Sequence, residues 1–203
     1  MFAETRTNSL LPAKPLLSAQ RVYTMLANES LWDTAVRCHE VLANAKIPHA
    51  VLGGVAVCLH GYQRNTVDLD LLVRKSDTQR IQTSLSAAGF VWNQEHVEFT
   101  SPGGIPVQFL LAGDRAGKGS EVFFPDPGDV KTTKTLDGLP VLTLARLIES
   151  KIACGEGNLR RTHKDFADVI ELILVNDLNT SFSRYLHKSL RSTFRELAQR
   201  ARG

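Results

Sequence analysis

Between Thr66 and Val73 the chain has a two-residue alternation: Val67, Leu69, Leu71 and Val73 are apolar on one side, and Asp68 and Asp70 fall on the other. A period of two belongs to a strand, in which residues two apart share a face. The two aspartates therefore stand side by side with an apolar set behind them. Aspartate is a poor strand former and neighbouring carboxylates repel, so the arrangement becomes favourable when a divalent cation bridges the pair. Magnesium is typically held by one or two carboxylates together with phosphate oxygens, and manganese suits the same donors. The alternative is a solvent-facing edge strand that happens to carry two acids.

What lies upstream strengthens the first reading. Trp32, Ala35, Val36, Val41 and Leu42 are spaced for one apolar helix face, and Pro48 marks the end of that helix. A short strand, His49 to Leu52, leads into Gly53-Gly54, and a short helix follows from Val55 to His60. Paired glycines between a strand and a helix let backbone approach a phosphate, and a helix N-terminus favours an anion. Alone such a pair is only a turn. Beside two aspartates on the same sheet, it would hold nucleotide phosphates against the metal.

Downstream, Ser76-Asp77 offers an N-cap for a helix through Ile81, Leu85 and Ala88 that Gly89 closes. Val91 to Trp92, Val97 to Thr100 and Ile105 to Leu111 read as strands, the last two joined by the Pro102-Gly103-Gly104 turn. Ala112 to Gly138, rich in glycine, proline and aspartate, reads as a long surface loop with a brief strand near Val122 to Phe124. Helices are expected over Leu144 to Ala153, capped by Thr143, over Thr162 to Val175, and over Ser181 to Arg200. In the second of these, Phe166, Val169, Ile170 and Ile173 form the apolar stripe. Arg161 with Asp165 and Lys164 with Asp168 fall at i,i+4 spacing on what reads as a charged solvent face.

This order predicts an α+β fold, a mixed β-sheet flanked by helices with a C-terminal helical region. It divides into an N-terminal arm over 1–17, an α+β domain over 18–142 and helices over 143–203. At 203 residues the chain has room for one compact domain or for a small catalytic domain with a helical appendage. The net charge of +3 does not by itself indicate a nucleic-acid binder, although Arg184, Lys188, Arg191, Arg195, Arg200 and Arg202 gather near the end. The three cysteines lack paired spacing and fit free thiols in a reducing cytosol. The opening run reads as no signal peptide and no window approaches a membrane span, so a soluble cytoplasmic protein is expected. The six histidines show no metal-ligand spacing. Gly113 to Ser120 falls one residue short of a P-loop, and a flexible loop explains it better.

Taken together, Gly53-Gly54-Val55-Ala56, His60-Gly61, Arg64, Thr66 and Asp68-Leu69-Asp70-Leu71-Leu72-Val73 resemble the signature of the polymerase-β-type nucleotidyltransferase superfamily. The resemblance is nearest to its small prokaryotic members, which include antibiotic-modifying enzymes and the AbiEii-like proteins of phage defence. It implies a nucleotidyltransferase-like sheet in which Gly53 and Gly54 touch the triphosphate of an NTP while Asp68 and Asp70 bind magnesium. The second glycine is often a serine in that family, so Gly54 would supply backbone contact only. Arg64 would lie near the phosphate path. Lys151, followed by Arg161, Lys164, Asp165 and Asp168, resembles a pattern in the helical part of the family that implies basic groups, Lys151 and Lys164, facing the nucleotide cleft.

One position departs from the pattern. Fully active members usually carry a third carboxylate on a later strand, and here Gln108 occupies its place. A neutral amide cannot accept the proton of an attacking hydroxyl, a role worth roughly 10² to 10⁴ in rate. Glu98 would substitute if it faced the same side, with Glu95 and His96 as weaker candidates. The resemblance thus implies transfer of a nucleoside monophosphate from an NTP to a hydroxyl on a small molecule, a protein or an RNA end. Two alternatives remain. One is a nucleotide-binding module without turnover, acting as a regulator or as half of a defence or toxin–antitoxin pair with a protein partner. The other is an interaction protein whose aspartates bind nothing.

Overall fold

The computed structural model of the chain describes residues 29–202; the arm expected over 1–17 lies outside them. Helix α1 (Glu29–Asn44) precedes strand β1 (His49–Leu52), and helix α2 (Gly53–Leu59) starts directly where β1 stops. Strand β2 (Leu69–Val73) and helix α3 (Thr78–Ala87) follow, then β3 (Val91–Asn93), β4 (Glu98–Thr100) and β5 (Pro106–Leu111). A hairpin of β6 (Thr133–Leu136) and β7 (Leu139–Leu142) leads to the long helices α4 (Leu144–Gly157) and α5 (Leu159–Val175), and helix α6 (Arg191–Arg200) comes last.

The seven strands form one sheet in the order β3-β4-β5-β2-β1-β7-β6. β2 lies near its centre, antiparallel to β1 and parallel to β5. Leu69, Leu71 and Val73 all point to one side, where α1 and α3 supply Leu31, Trp32, Leu42, Ile81 and Leu85 to the core. The opposite side carries Asp70 and, on β5, Gln108, and is faced by α4 and α5. The predicted α+β architecture with its mixed sheet is therefore present.

The alternation expected from Thr66 does not all become strand. β1 ends at Leu52, opposite Asp70, and β5 starts pairing at Leu69↔Val107. Nothing remains to pair with 66–68, so Val67 turns outward, 66% exposed, and Asp68 sits just before the strand.

Ala112 to Gly138 is likewise more than a surface loop. Ala116, Val122 and Phe124 are buried, tied by a bridge between Arg115 and Phe123. β6 and β7 pair through Asp137-Gly138, both at positive φ (46° and 83°), the conformation of a tight hairpin turn. β7 then pairs parallel to β1. The expected last helix is also broken. Two 3₁₀ turns, Thr180–Tyr185 and Lys188–Leu190, precede α6, because the Asn179 and His187 side chains accept backbone N–H groups and end the run locally. No helix among the described residues is long and apolar enough to cross a membrane.

Candidate active site

The geometry of the site follows from where β1 ends. Gly53 has φ +65°, the left-handed region in which a side chain is strained, and a Cβ there would fall 1.8 Å from Asp70 Oδ2. The chain can therefore swing from strand into α2 directly over the carboxylate. Gly54 is equally confined. A Cβ on it would lie 2.4 Å from Thr66 Oγ1 and 3.0 Å from Arg64 Nη2, so the turn has no space for the serine common at this position in the resembling family.

Asp70 is the second residue of β2, in register with Leu52 on one side and Gln108 on the other. No hydrogen bond or ion pair among the described residues reaches its carboxylate. Burial pushes its pKa up to about 6, the charge of Asp68 pushes the same way, and the cations Lys151, Arg161 and Lys164 pull it back. Asp68 accepts one hydrogen bond, from Thr66 Oγ1 at 3.0 Å.

The facing wall is built differently. Lys151 Nζ lies 2.9 Å from Asp165 Oδ1 and 2.8 Å from Asp168 Oδ2. Asp165 also meets Arg161 Nε at 3.1 Å. Asp168 also meets Arg64, whose Nη2 donates at 3.1 Å and whose Nε lies 2.7 Å from Oδ1 but out of line for a hydrogen bond. A continuous chain of ion pairs, Arg64, Asp168, Lys151, Asp165 and Arg161, thus joins the segment before β2 to α4 and α5. The expected Arg161–Asp165 pair forms. The Lys164–Asp168 pair does not: Asp168 is 1% exposed and turned inward, while Lys164 stays at the surface.

The reading of Asp165 and Asp168 as part of a solvent face is therefore overturned. A signal was available, because Asp165, Asp168, Val169 and Leu172 fall at i, i+3, i+4 and i+7, the spacing of the buried stripe. Burial of two acids on that stripe requires cations from elsewhere.

Between the walls is a pocket of about 130 Å³ lined by Gly53, Asp70, Gln108, Ser150, Lys151, Cys154, Arg161 and Asp165, closed by Leu52, Phe109, Leu110 and Phe124. Of the residues expected at the site, Gly53, Asp70, Gln108 and Lys151 converge here. Asp68 and Lys164 are near enough for their charges to act on Asp70. Arg64 stands behind the turn, against Gly54. Gln108 Nε2 donates to Glu98 Oε2 at 3.1 Å, which puts Glu98 on the same face. Glu95 and His96 instead occupy the turn after β3, their backbone N–H groups held by the Asn93 side chain.

The donor set fits a hard divalent cation in one respect: two aspartates close enough to repel, neither with a cationic partner in contact among the described residues. It is incomplete in another, since among the described residues no group of three His, Cys, Asp or Glu converges on one point. Further ligands would come from phosphate and water, as is usual for magnesium.

Residues 3–149 match a protein family described as uncharacterised nucleotidyltransferase. Among solved structures, the chain is similar to ANT(2″)-Ia in complex with adenylyl-2″-tobramycin, at TM-score 0.53 and 14% identity, covering 87% of this chain and 98% of that one. It is also similar to a Helicobacter pylori protein assigned as a nucleotidyltransferase, at TM-score 0.52 and 14% identity, covering 88% and 94%. A Thermotoga maritima protein with the same assignment gives TM-score 0.51 and 18% identity, covering 68% and 93%. None of the curated proteins matches the chain. The sheet, the glycine turn and the match over most of the chain lead to one conclusion: this protein belongs to the uncharacterised nucleotidyltransferase family and has the nucleotidyltransferase fold.

Proposed function

We propose that the protein transfers a nucleoside monophosphate from an NTP to a hydroxyl acceptor. The observation that carries this reading is the placement of Asp70, free of any contacting cation, directly beneath the Gly53 turn and across a small pocket from Lys151 and Arg161. Gly53 and Gly54 present backbone to the triphosphate, and Lys151, Arg161 and Lys164 offset its charge from the opposite wall. Arg64, anchored by Asp168, supports the turn and can reach a phosphate seated on it. Asp68 and Asp70 would hold magnesium or manganese, which when bound stabilises charge developing on the transferred phosphoryl group and on the leaving pyrophosphate. Thr66 fixes one oxygen of Asp68 and leaves the other to the site.

A second reading is favoured by one specific observation. Gln108 is in register with Asp70, at the position where the resemblance implies a third carboxylate to accept the acceptor's proton, and its Nε2 donates to Glu98. This supports nucleotide binding without turnover, in a regulator or in one half of a defence pair. The two readings separate in one experiment. Calorimetric titration of ATP and GTP with magnesium into wild type and the Asp68→Asn/Asp70→Asn double variant is followed by a radiolabel transfer assay. Carboxylate-dependent binding with transfer supports the enzyme, and binding without transfer that Gln108→Asp restores supports the module. Absence of nucleotide binding by the wild type sinks both.

A further inference from the structure

The reverse face of the sheet carries a cavity of its own, about 350 Å³ in volume, between α3 and strands β3, β4 and β5. Val73 and Leu111, in register across β2 and β5, line its inner side. Each lies three residues beyond a member of the Asp70–Gln108 pair, an odd number on a two-residue period, so the cavity and the Asp70 pocket lie on opposite sides of the same sheet. A molecule bound here is separated from Asp70 by the sheet itself.

The floor is aromatic. Trp92 and Phe99 face each other across β3 and β4 with ring centroids 5.0 Å apart at 63°, and Phe99 meets Phe109 at 5.9 Å and 86°. These edge-to-face contacts leave ring surface for a further ring, and Trp92 and Phe109 are only half-buried. Ile81 closes the side under α3. At the mouth, Gln79 and Gln82 are neighbours on one face of α3, exposed, and neither side-chain amide forms a hydrogen bond among the described residues. The other polar groups of the lining are in use: the Thr78 hydroxyl donates to the Lys75 carbonyl and the Trp92 indole to Gln94 Oε1. Among the described residues no ionisable side chain lines the cavity.

A further part of the lining is held in a costly backbone conformation. Val97 has φ 54° and is 66% exposed, and the left-handed region is an outlier for a β-branched residue. The turn that delivers it is fixed, because Asn93 Oδ1 accepts the backbone N–H groups of Glu95 and His96. A strained residue whose apolar side chain faces solvent beside a cavity has the character of a ligand clamp.

Size and charge select the occupant. An apolar cavity of roughly 150 Å³ is enough to hold benzene, and this one has a little over twice that volume. A charged group buried against its lining would have no partner. The two free amides at the mouth offer both a donor and an acceptor to one polar group.

We propose that this cavity is a binding site for a neutral two-ring aromatic small molecule, seated on Trp92, Phe99 and Phe109 with its polar group at Gln79 and Gln82. The site is separate from the nucleotide cleft and stands whether or not the chain is a transferase. Its test titrates 2-naphthol into the full chain at pH 7, where a phenolic hydroxyl of pKa about 10 is un-ionised. Binding is followed by tryptophan fluorescence and by amide NMR. The chain has two tryptophans and Trp32 is buried in the core, so saturable quenching is expected to be mostly lost in Trp92→Phe. The NMR signals expected to move are those of the Trp92 indole and the Gln79 and Gln82 side-chain amides. The anionic analogue 2-naphthoate is expected to bind at least about 10-fold more weakly. Val97→Gly, which relieves the positive φ, is expected to keep or raise Tm while weakening naphthol binding about 5-fold. Absence of saturable binding overturns the proposal, as does equal affinity for naphthoate or indifference to Val97→Gly. Displacement of the probe by magnesium–ATP also overturns it, by assigning the probe to the Asp70 pocket. Binding that fades as protein concentration rises overturns it by giving the face to a second copy of the chain.

Discussion

Four aspartates stand around one cleft, two on each wall, and their surroundings could hardly differ more. On the helical wall Asp165 and Asp168 are almost wholly buried, yet each is held by two cations. On the sheet wall Asp68 has one neutral hydroxyl donor, and Asp70 has no contacting partner and a neighbour of like charge. The same side chain is an ion-paired anchor in one place and a carboxylate without a contacting cation in the other. The difference lies in which groups the fold brings into contact with it. A buried carboxylate saturated by cations has no capacity left for a ligand, whereas one that the protein leaves unsatisfied retains its charge for something that arrives later.

Exchanging the acids on the two walls should therefore produce opposite failures, and this is the largest effect expected. Asp70→Asn should lower transfer by on the order of 10³ while leaving the fold intact. Asp168→Asn should cost about 3 kcal/mol of stability, because Lys151 and Arg64 both lose the carboxylate that compensates them. Transfer kinetics and urea unfolding on the two variants check this; a stable Asp168→Asn protein that has lost only activity would erase the distinction.

A smaller effect probes how tightly the sheet wall is built. Gly54→Ser should destabilise by about 2 kcal/mol, since the new Cβ meets Thr66 Oγ1. Adding Thr66→Ser, which keeps the hydroxyl oxygen that the new Cβ meets, should recover little of that loss, and adding Thr66→Ala, which removes that oxygen but keeps Cβ, should recover part of it. Equal recovery in the two double variants, read from thermal melts, would place the clash elsewhere.

The smallest effect sharpens the electrostatic side. Burial and Asp68 raise the Asp70 pKa from 3.8 to about 6 in the folded chain. Between those values the native state holds a proton that the unfolded state has released, so protonation favours folding. The benefit is complete below about 4 and disappears as pH rises through 6. Asp70→Asn, which carries no charge to lose, should exceed the wild type in stability by about 1 kcal/mol at pH 7, allowing for the partial exposure of Asp70. The gap should close near pH 4. Stability of both proteins measured across that range checks the sign, and a gap that widened on acidification would contradict it.

Much of the sheet wall was legible because it is local. The alternation around Asp70, the glycine pair and the Gly89 that closes α3 each express a short-range rule, and Gly53 and Asp70 meet because β1 and β2 are neighbours. The helical wall was less legible because its meaning depends on distant partners. That Asp168 is satisfied follows only once Arg64 and Lys151 are known to approach it. The hairpin of β6 and β7 was missed for another reason. Its first strand, Thr133–Leu136, is short and half exposed, which conceals the alternation, and the Asp137-Gly138 turn was absorbed into a stretch read as loop. The place of Asp68 was not fixed by pattern at all, since a two-residue period extends beyond the last residue that has a ladder partner.

The ties behind the glycine turn also bear on when the site comes into being. Arg64 meets Asp168 across 104 residues, Asn176 Nδ2 donates to the His60 carbonyl across 116, and the His60 ring meets the Leu142 carbonyl across 82. Polypeptide is made from the N-terminus at about 5–20 residues per second. The glycine turn and the aspartate strand are thus synthesised roughly 5 to 20 seconds before the helix that braces them. During that interval the acids have no opposing wall and the turn has no support. The cleft is consequently a feature that a growing chain lacks until α5 has emerged and docked, and a polypeptide released early would carry the glycine turn and the aspartates without it.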